Sequence, residues 1–444
     1  MSRNTAKPTS RTRPAPLDAA LRVAIETHQR GQLAEAERRY RALLAVAPRH
    51  ADALHFLGVL LHQGGRSEEA MALIARSLAI APGYVDARNN LGNVQKELGL
   101  VHDAECSYRA VIAARPQFAP AWNNLGVVLK AQGHCQEAAD AYRQALALAP
   151  ENAEYWANLG TALRALHQLD EAMTAYHKAI RLAPQTIDAY RNLGQALVAS
   201  GRGAEALDVY RRWQEQQPDN PEVGHMIAAV SGGAAPGRAS DGYVQNTFDR
   251  FAGSFDQVLA ALDYRAPGLC GALVAELAGA PAGALDILDA GCGTGLCAPI
   301  LKPWARALDG VDLSPGMLAK AAARGAYRRL ESAELTAWLA AHPASYDLVV
   351  SADTLCYFGA LEEVLAAAAG ALRRGGHVVF TLEENLVQAA APFVLNPHGR
   401  YSHGEAYARA VLARVRLEVK AVQRHVLRTE LGAPVAGLAI AARA

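Results

Sequence analysis

Three glycines at alternate positions, Gly291, Gly293 and Gly295, follow the aliphatic run LDILDA at 285–290. Without Cβ atoms, such a loop lets a ligand lie against backbone N–H groups. Nucleoside triphosphates, dinucleotides and S-adenosylmethionine are all held at Gly-rich strand-to-helix turns, and the neighbouring residues separate them. A triphosphate loop needs Lys followed by Ser or Thr to neutralise charge, and neither Lys nor Arg occurs from 286 to 301. A dinucleotide loop reading G-x-G-x-x-G from Gly291 needs glycine at 296, where Leu296 stands. That disfavours NAD. Asp312 closes the next apolar run, GVDLS, nineteen residues after Gly293. A carboxylate at that strand end accepts hydrogen bonds from both ribose hydroxyls and rejects a 2′-phosphate. Ser314 and Pro315 behind it read as an N-cap and a first helical residue.

The elements that must carry this loop alternate strand and helix. LDILDA, ALDGVDL, YDLVVSAD and HVVFTLEE read as strands, with helices over 296–306, 315–324 and 361–373 among them. Such alternation predicts a parallel, doubly wound sheet whose ligands sit at the carboxyl ends of the strands. Two last strand-like runs, 416–426 and 429–444, meet at a turn with Gly432 and Pro434 and close the sheet as an antiparallel pair.

Four motifs in this half, LDAGCGTG (288–295), GVDLSPGML (310–318), YDLVVSADTL (346–355) and ALRRGGHVVFTLE (371–383), resemble those of class I S-adenosylmethionine-dependent methyltransferases. The small-molecule, quinone-biosynthesis group is the nearest likeness, and FDRFAGSFD (248–256) is similar to the segment that closes over its cofactor. The resemblance implies a Rossmann-like seven-stranded domain with S-adenosyl-L-methionine as cofactor. It implies that Asp289, Gly291 and Gly293 contact the methionine part, Asp312 the ribose, and Leu313 and Glu334 the adenine. Ser351 and Ala352 would lie beside methionine and substrate, and Phe251 and Phe255 at the entrance. Asp353 and Tyr357 would face the acceptor. Residues 385–411, with His398, Arg400, Tyr401 and His403, would form a substrate lid and bring two candidate general bases. The place after the fourth strand reads SADT rather than the N/D-P-P-Y of amino-directed enzymes. Methyl transfer from a sulfonium needs alignment and exclusion of water more than any one catalytic group.

The other half repeats itself every 34 residues. Gly58, Gly92, Gly126, Gly160 and Gly194 keep that interval, and so do Ala36 to Ala206 and Pro48 to Pro218. Small residues sit where paired helices approach, and each proline ends a second helix. WNNLGVVL and WANLGTAL, at 122–129 and 156–163, resemble the tetratricopeptide repeat. Ala24 replaces the first glycine, Arg88 the third unit's aromatic, and His167 one turn glycine. The resemblance puts the first helices on a concave face, where Asn90, Asn124, Asn158 and Asn192 would form an amide ladder for the backbone of an extended peptide.

With 444 residues the chain is long enough for two or three domains. The expected plan is a disordered basic tail (1–16), six repeats (17–218), a capping helix and Gly/Ala/Ser/Pro linker (219–242), and the methyltransferase domain (243–444). A net charge of +1 makes no case for nucleic acid. No apolar run is long enough to insert into a membrane. The six cysteines form no metal-like spacing, so no metal site is expected and a cytoplasmic location is. The expected function is S-adenosylmethionine-dependent methyl transfer, with the repeats binding a protein partner or substrate. Two alternatives stay open: a small-molecule methyltransferase whose repeats only localise it, and a non-catalytic cofactor-binding scaffold.

Overall fold

A computed structural model describes residues 15–386, 391–430 and 432–444. Residues 1–14 of the expected tail and 387–390 of the expected lid lie outside the described residues. By packing, the chain divides at Ala196/Leu197 into two compact units.

The first unit is a series of helix pairs: α1 (Ala15–Gln29) with α2 (Leu33–Val46), α3 (Ala51–Gln63) with α4 (Ser67–Ile80), α5 (Val85–Glu97) with α6 (Val101–Ala114), α7 (Ala119–Ala131) with α8 (Cys135–Leu148), and α9 (Ala153–Ala165) with α10 (Leu169–Leu182). The division falls inside α11 (Ile187–Ala199). Three of the pairs are set by a glycine of the first helix lying under an aromatic ring of the second, and in α3 with α4 Gly58 lies against Ile74 instead. A Cβ on Gly92, Gly126 or Gly160 would fall 2.7, 2.6 or 2.7 Å from the ring of Tyr108, Tyr142 or Tyr176. Those rings are fully buried. Between the pairs, the indoles of Trp122 and Trp156 donate to the carbonyls of Pro116 and Pro150 at 2.9 and 2.8 Å. Arg88, where the pattern lacks its aromatic, makes the same bond: Nη2 donates to Pro82 O at 3.2 Å.

The second unit continues with α12 (Gly203–Gln216), α13 (Pro221–Ser231), α14 (Asp241–Phe251), α15 (Phe255–Ala261) and α16 (Ala266–Ala278). Then come β1 (Leu285–Ala290), α17 (Ala298–Leu301), β2 (Ala305–Asp312), α18 (Pro315–Ala323), β3 (Arg329–Ser332), α19 (Leu335–Ala341) and β4 (Tyr346–Ser351). The unit ends with α20 (Glu362–Ala371), β5 (Leu372–Glu384), β6 (Phe393–Leu395), β7 (Tyr401–His403), α21 (Glu405–Arg414), β8 (Glu418–Glu430) and β9 (Ala433–Arg443). Strands β3-β2-β1-β4-β5 are parallel, and β9 runs antiparallel between β5 and β8. This is the expected parallel sheet closed by an antiparallel pair, with the β6–β7 hairpin added at the end of β5.

Alternate residues of each strand serve opposite faces. Leu288, Val349 and Phe380 face one apolar cluster, while Ile287, Leu348, Val350 and Val379 face the other. Helices cover both faces, which is why the central strands read as unbroken apolar runs.

Three expectations change. The helix foreseen over 296–306 shrinks to α17, because β2 already pairs with Leu285 at Ala305. The lid is built partly of sheet: β7 pairs with Glu383 and Glu384 of β5. The linker is pinned rather than loose. Gly237 O accepts from Gly359 N and Ala360 N at 2.9 and 2.7 Å, Ala239 N donates to Tyr357 O at 2.8 Å, and Tyr401 Oη donates to Pro236 O at 2.9 Å. Glycine, alanine and proline offer little side-chain packing, so these backbone bonds do the holding. The strap therefore packs as part of the second unit.

Candidate active site

The glycine loop leaves β1 with Gly291 N and Cys292 N both donating to Val311 O of β2, at 2.8 and 3.0 Å. All three loop glycines have positive φ, but their surroundings differ. A Cβ on Gly291 would meet Thr354 at 2.2 Å, and one on Gly295 would meet Arg324 and Tyr327 at 3.1 Å. A Cβ on Gly293 would meet only Phe255, at 3.9 Å. Gly291 and Gly295 are thus required by packing, and Gly293 presents the open side of the loop.

Asp312 ends β2 beside it. Its Oδ2 accepts from Gly293 N and its Oδ1 from Ser314 N, both at 2.9 Å. Burial pushes its carboxyl up, and the two backbone donors pull it back down. Each oxygen keeps acceptor capacity for a ligand hydroxyl. Ser314 caps α18 as expected, its Oγ accepting from Met317 N at 3.1 Å. Leu313 is half-buried on the same turn.

Two acids that the sequence passed over latch α14 and α15 onto this loop. Asp249 Oδ1 accepts from Ser314 Oγ at 2.5 Å and Gly316 N at 3.0 Å. Asp256 accepts from Thr294 Oγ1 at 2.5 Å and Arg324 Nη2 at 2.6 Å. Both lie in FDRFAGSFD, seven residues apart, a signal that was available. Phe255 stands against Gly293 and edge-on to Phe248, 5.9 Å between centroids, whereas Phe251 is 44% exposed.

Several residues expected at the ligand also have partners within the protein. Asp289 is fully buried, and its Oδ2 accepts from Tyr327 Oη at 2.7 Å. Glu334 is the N-cap of α19: its oxygens accept from Thr336 N and Ala337 N at 3.0 and 2.8 Å. Ser351 Oγ donates to Ala290 O at 3.0 Å and ties β4 to β1. Ala352, next to it, is half-buried.

Beyond β4, Asp353 holds φ +58°, a strained value for a residue with a side chain. Its N–H donates to Thr381 Oγ1 at 2.8 Å, and Arg428 Nη1 donates to its Oδ2 at 2.6 Å. Its Oδ1 is enclosed without a partner. Arg428, 3% exposed, also binds Glu383 and, at 2.5 Å, Glu430. Arg400 binds the same two acids at 2.5 and 2.7 Å. Burial lifts the Asp353 carboxyl while Arg428 lowers it; for Glu430 the two arginines prevail and hold it at about 2. Asp353, Cys356 and Glu383 bring ligand atoms within 4.8 Å of one another. Both carboxylates, however, are already paired with Arg428, and the Cys356 thiol donates to Asp353 O at 3.1 Å.

Tyr357 is half-buried, 5.4 Å from the Phe248 ring and 6.5 Å from that of Tyr243. His403 ends β7. It is wholly buried, with Nε2 on Gly359 O at 3.1 Å, and burial pushes its imidazole down to about 4. His398 keeps 41% of its side chain exposed and stands 3.8 Å from Glu383; its Nδ1 accepts from Arg400 N. Desolvation and then Arg400 lower its pKa.

The asparagine row of the first unit is also committed in part. Asn90 Nδ2 donates to His55 Nε2 at 2.8 Å, Asn124 Nδ2 to Asn93 Oδ1 at 3.1 Å, and Asn158 Nδ2 to Asn123 Oδ1 at 2.9 Å. Each amide thus reaches back to the preceding repeat. Asn192, in α11, is half-buried.

A profile of the family described as Methyltransferase domain matches residues 288–380, and one described as Tetratricopeptide repeat matches 29–85, 89–153, 128–187 and 158–221. Human Methyltransferase-like protein 27 is 44% identical over 119 residues, covering 26% of this chain and 46% of that protein. Ubiquinone biosynthesis O-methyltransferase of Thiobacillus denitrificans is 32% identical over 152 residues, covering 31% of this chain and 65% of that one. The chain therefore spans less than two thirds of either relative. Among solved structures, MamA is 26% identical with a TM-score of 0.35, covering 36% of this chain and 95% of that one.

Proposed function

We propose, for a chain in which tetratricopeptide repeats are joined to a class I methyltransferase domain, that the second unit binds S-adenosylmethionine and methylates an acceptor recruited through the repeats. The observation that carries this reading is the Gly293–Asp312 pair. It combines an open backbone face with a carboxylate whose remaining lone pairs suit two ribose hydroxyls. S-adenosylmethionine, when bound, supplies a methyl group already activated on sulfonium. The chain's part is to align and to exclude water. Asp312 would orient the ribose, Gly291 and Gly293 the methionine part, and Leu313 the adenine. The rings of Phe248, Phe255 and Tyr357 would shield the reacting end from water. Asp353, fixed by Arg428 and Thr381, would face the acceptor with Tyr357. His403, fully enclosed, is not a candidate base, which leaves His398, whose protonation is opposed by desolvation and then by Arg400.

A protein acceptor is the first reading, because a profile described as Tetratricopeptide repeat matches 29–85 and 89–221, and stacked repeats of this kind offer extended binding surfaces. The likeness to Ubiquinone biosynthesis O-methyltransferase favours a second, in which the acceptor is a small molecule and the repeats only localise the enzyme. Unpaired cysteines among the described residues suit a cytoplasmic location.

Calorimetric titration with S-adenosylhomocysteine tests the cofactor reading. Saturable binding is expected, weakened about 10- to 100-fold in Asp312→Ala, as the loss of hydrogen bonds to a charged group implies. A folded wild-type protein that binds none would overturn it.

A further inference from the structure

The helix after the last repeat reads in the sequence as a cap, and a cap needs only an apolar face toward its neighbour and a polar face outward. α13 packs on α12 as that reading expects. It is also held from two other sides. Ala228 and Ala229 share one apolar cluster with Ala235 of the strap and with Phe393, Leu395 and Tyr401 of the β6–β7 hairpin. Glu222, in its first turn, pairs with Arg250 of α14 at 3.1 Å. α13 is thus built into the second unit and does more than cover α12.

His225 makes the contact that reaches the site. It is 6% exposed, and its Nε2 donates to Gly399 O at 2.8 Å. Its ring stacks on that of Tyr243, 4.0 Å between centroids. Gly399 is the corner of the hairpin turn, at φ +91°, where a Cβ would fall 2.6 Å from Tyr243 Oη and 3.3 Å from Met226 Sδ. The corner is therefore seated against three side chains of α13 and α14. The turn is closed by its own bonds. Gly399 N donates to Asn396 O at 2.8 Å, and Arg400 O accepts from Asn396 N at 2.9 Å and from Asn396 Nδ2 at 3.1 Å.

The next residue along the chain is Arg400. From the end of that turn it enters the charge cluster and binds Glu383 at 2.5 Å and Glu430 at 2.7 Å, with 19% of its side chain exposed. A planar guanidinium that serves two carboxylates at once does so from one place, so the backbone that carries it has to be fixed. A hydrocarbon side chain at 225 would cover α12 without the cost of burying a polar ring. The imidazole there is accounted for by its bond to Gly399, one residue before Arg400.

We infer that His225 is a positioning residue of the acceptor site: from α13 it seats the Asn396–Arg400 turn and so sets where Arg400 meets Glu383 and Glu430. This rests on the reading that Asp353, which shares Arg428 with both acids, faces the acceptor. The helix that follows the repeats then belongs to the catalytic half.

A double-mutant cycle in the full-length protein tests it. His225→Phe removes the donor and keeps a ring against Tyr243, and Arg400→Met removes the guanidinium. Independent packing contributions would give losses in urea midpoint that add. If His225 acts by placing Arg400, less than about half of its loss should remain in the Arg400→Met background. Gly399→Ala, which drives the turn off Tyr243, should show the same coupling to Arg400→Met. Should Arg400→Met not fold, Arg400→Lys keeps the charge, loses the fork and takes its place. Tyr108→Phe, in the first unit, is the control and should add in full. His225→Phe should also keep the wild-type S-adenosylhomocysteine titration. Additive losses in either cycle would overturn the assignment, as would a folded His225→Phe that no longer binds S-adenosylhomocysteine. Coupling in both cycles, with a wild type that binds none, would support the positioning of Arg400 and sink the methyltransferase reading alone.

Discussion

Tyr327 Oη donates to Asp289 Oδ2 across 2.7 Å, at the foot of the glycine loop, where the carboxyl is 1% exposed. Burial pushes that carboxyl up to about 7, with Tyr327 opposing and Asp312 adding a smaller rise. Its ordinary value, the one it has in the unfolded chain, is about 3.9. Below pH 4 it is protonated in both states and costs nothing. Between about pH 4 and 7 only the unfolded chain releases its proton, so stability falls as pH rises. Asp289→Asn keeps an acceptor for Tyr327 and removes the charge. The variant should gain on the wild type through that window and hold the gain above pH 7, at most about 4 kcal/mol for three pH units. Urea melts at pH 4, 6 and 8 measure it; a pH-independent difference would exclude Asp289 as the titrating group.

Tyr108 and Tyr142 occupy the same position in successive repeats, and their hydroxyls fare differently. Tyr108 Oη donates to Asn93 Oδ1 at 2.8 Å, while Tyr142 Oη is enclosed without a partner. Tyr108→Phe should cost about 1 kcal/mol, and Tyr142→Phe should cost nothing or stabilise by about 1 kcal/mol. Thermal melts of the two variants side by side decide it. Losses of equal size would mean that both hydroxyls are satisfied.

His167 stands at φ +60°, where the other repeat turns place Gly31, Gly65, Gly99, Gly133 and Gly201 at φ between +72° and +85°. A side chain there pays a steric cost that glycine avoids, offset in part by the greater freedom of glycine in the unfolded chain. His167→Gly should raise stability by roughly 0.5–1 kcal/mol, read as a shift in urea midpoint at constant slope. The reciprocal Gly133→His should lower it by a similar amount.

What could be read from the residues, and what could not, follows from how local each feature is. The 34-residue period, the Gly126–Tyr142 contact and the loop with Asp312 depend on neighbours at fixed offsets, so spacing alone exposes them. Glu334 was ambiguous because an acid after a strand can cap a helix or reach a ligand; it caps α19 through two backbone donors. The asparagine row was legible as a row, but its partners lie 31 and 35 residues back, set by the angle between repeats rather than by the period. The strap at Pro236 to Ala239 looked like a linker because it is held to 357–360 and to Tyr401 through its own backbone atoms, which no side-chain pattern reveals. The charge cluster was invisible for another reason. Asp353, Glu383, Arg400, Arg428 and Glu430 meet only because β7 joins the end of β5 and β8 reaches it through β9.

Arg428 is the hinge of that cluster. Two arginines face three acids, and Arg428 alone touches all three, Asp353, Glu383 and Glu430. It is 3% exposed, so water cannot replace it. Arg428→Met removes the cation while filling similar space, leaving Asp353 with no charged partner and Glu383 and Glu430 with Arg400 only. Breaking one side of a buried ion cluster typically costs about 3–5 kcal/mol, because the stranded charges must protonate or draw in water. Arg428→Met should therefore lose about that much in urea unfolding, and should lose less at pH 4 to 5, where the stranded acids take up protons. Adding Glu383→Gln should recover part of the loss at neutral pH. A single variant as stable as the wild type at pH 7 would mean that Arg400 already suffices for all three acids.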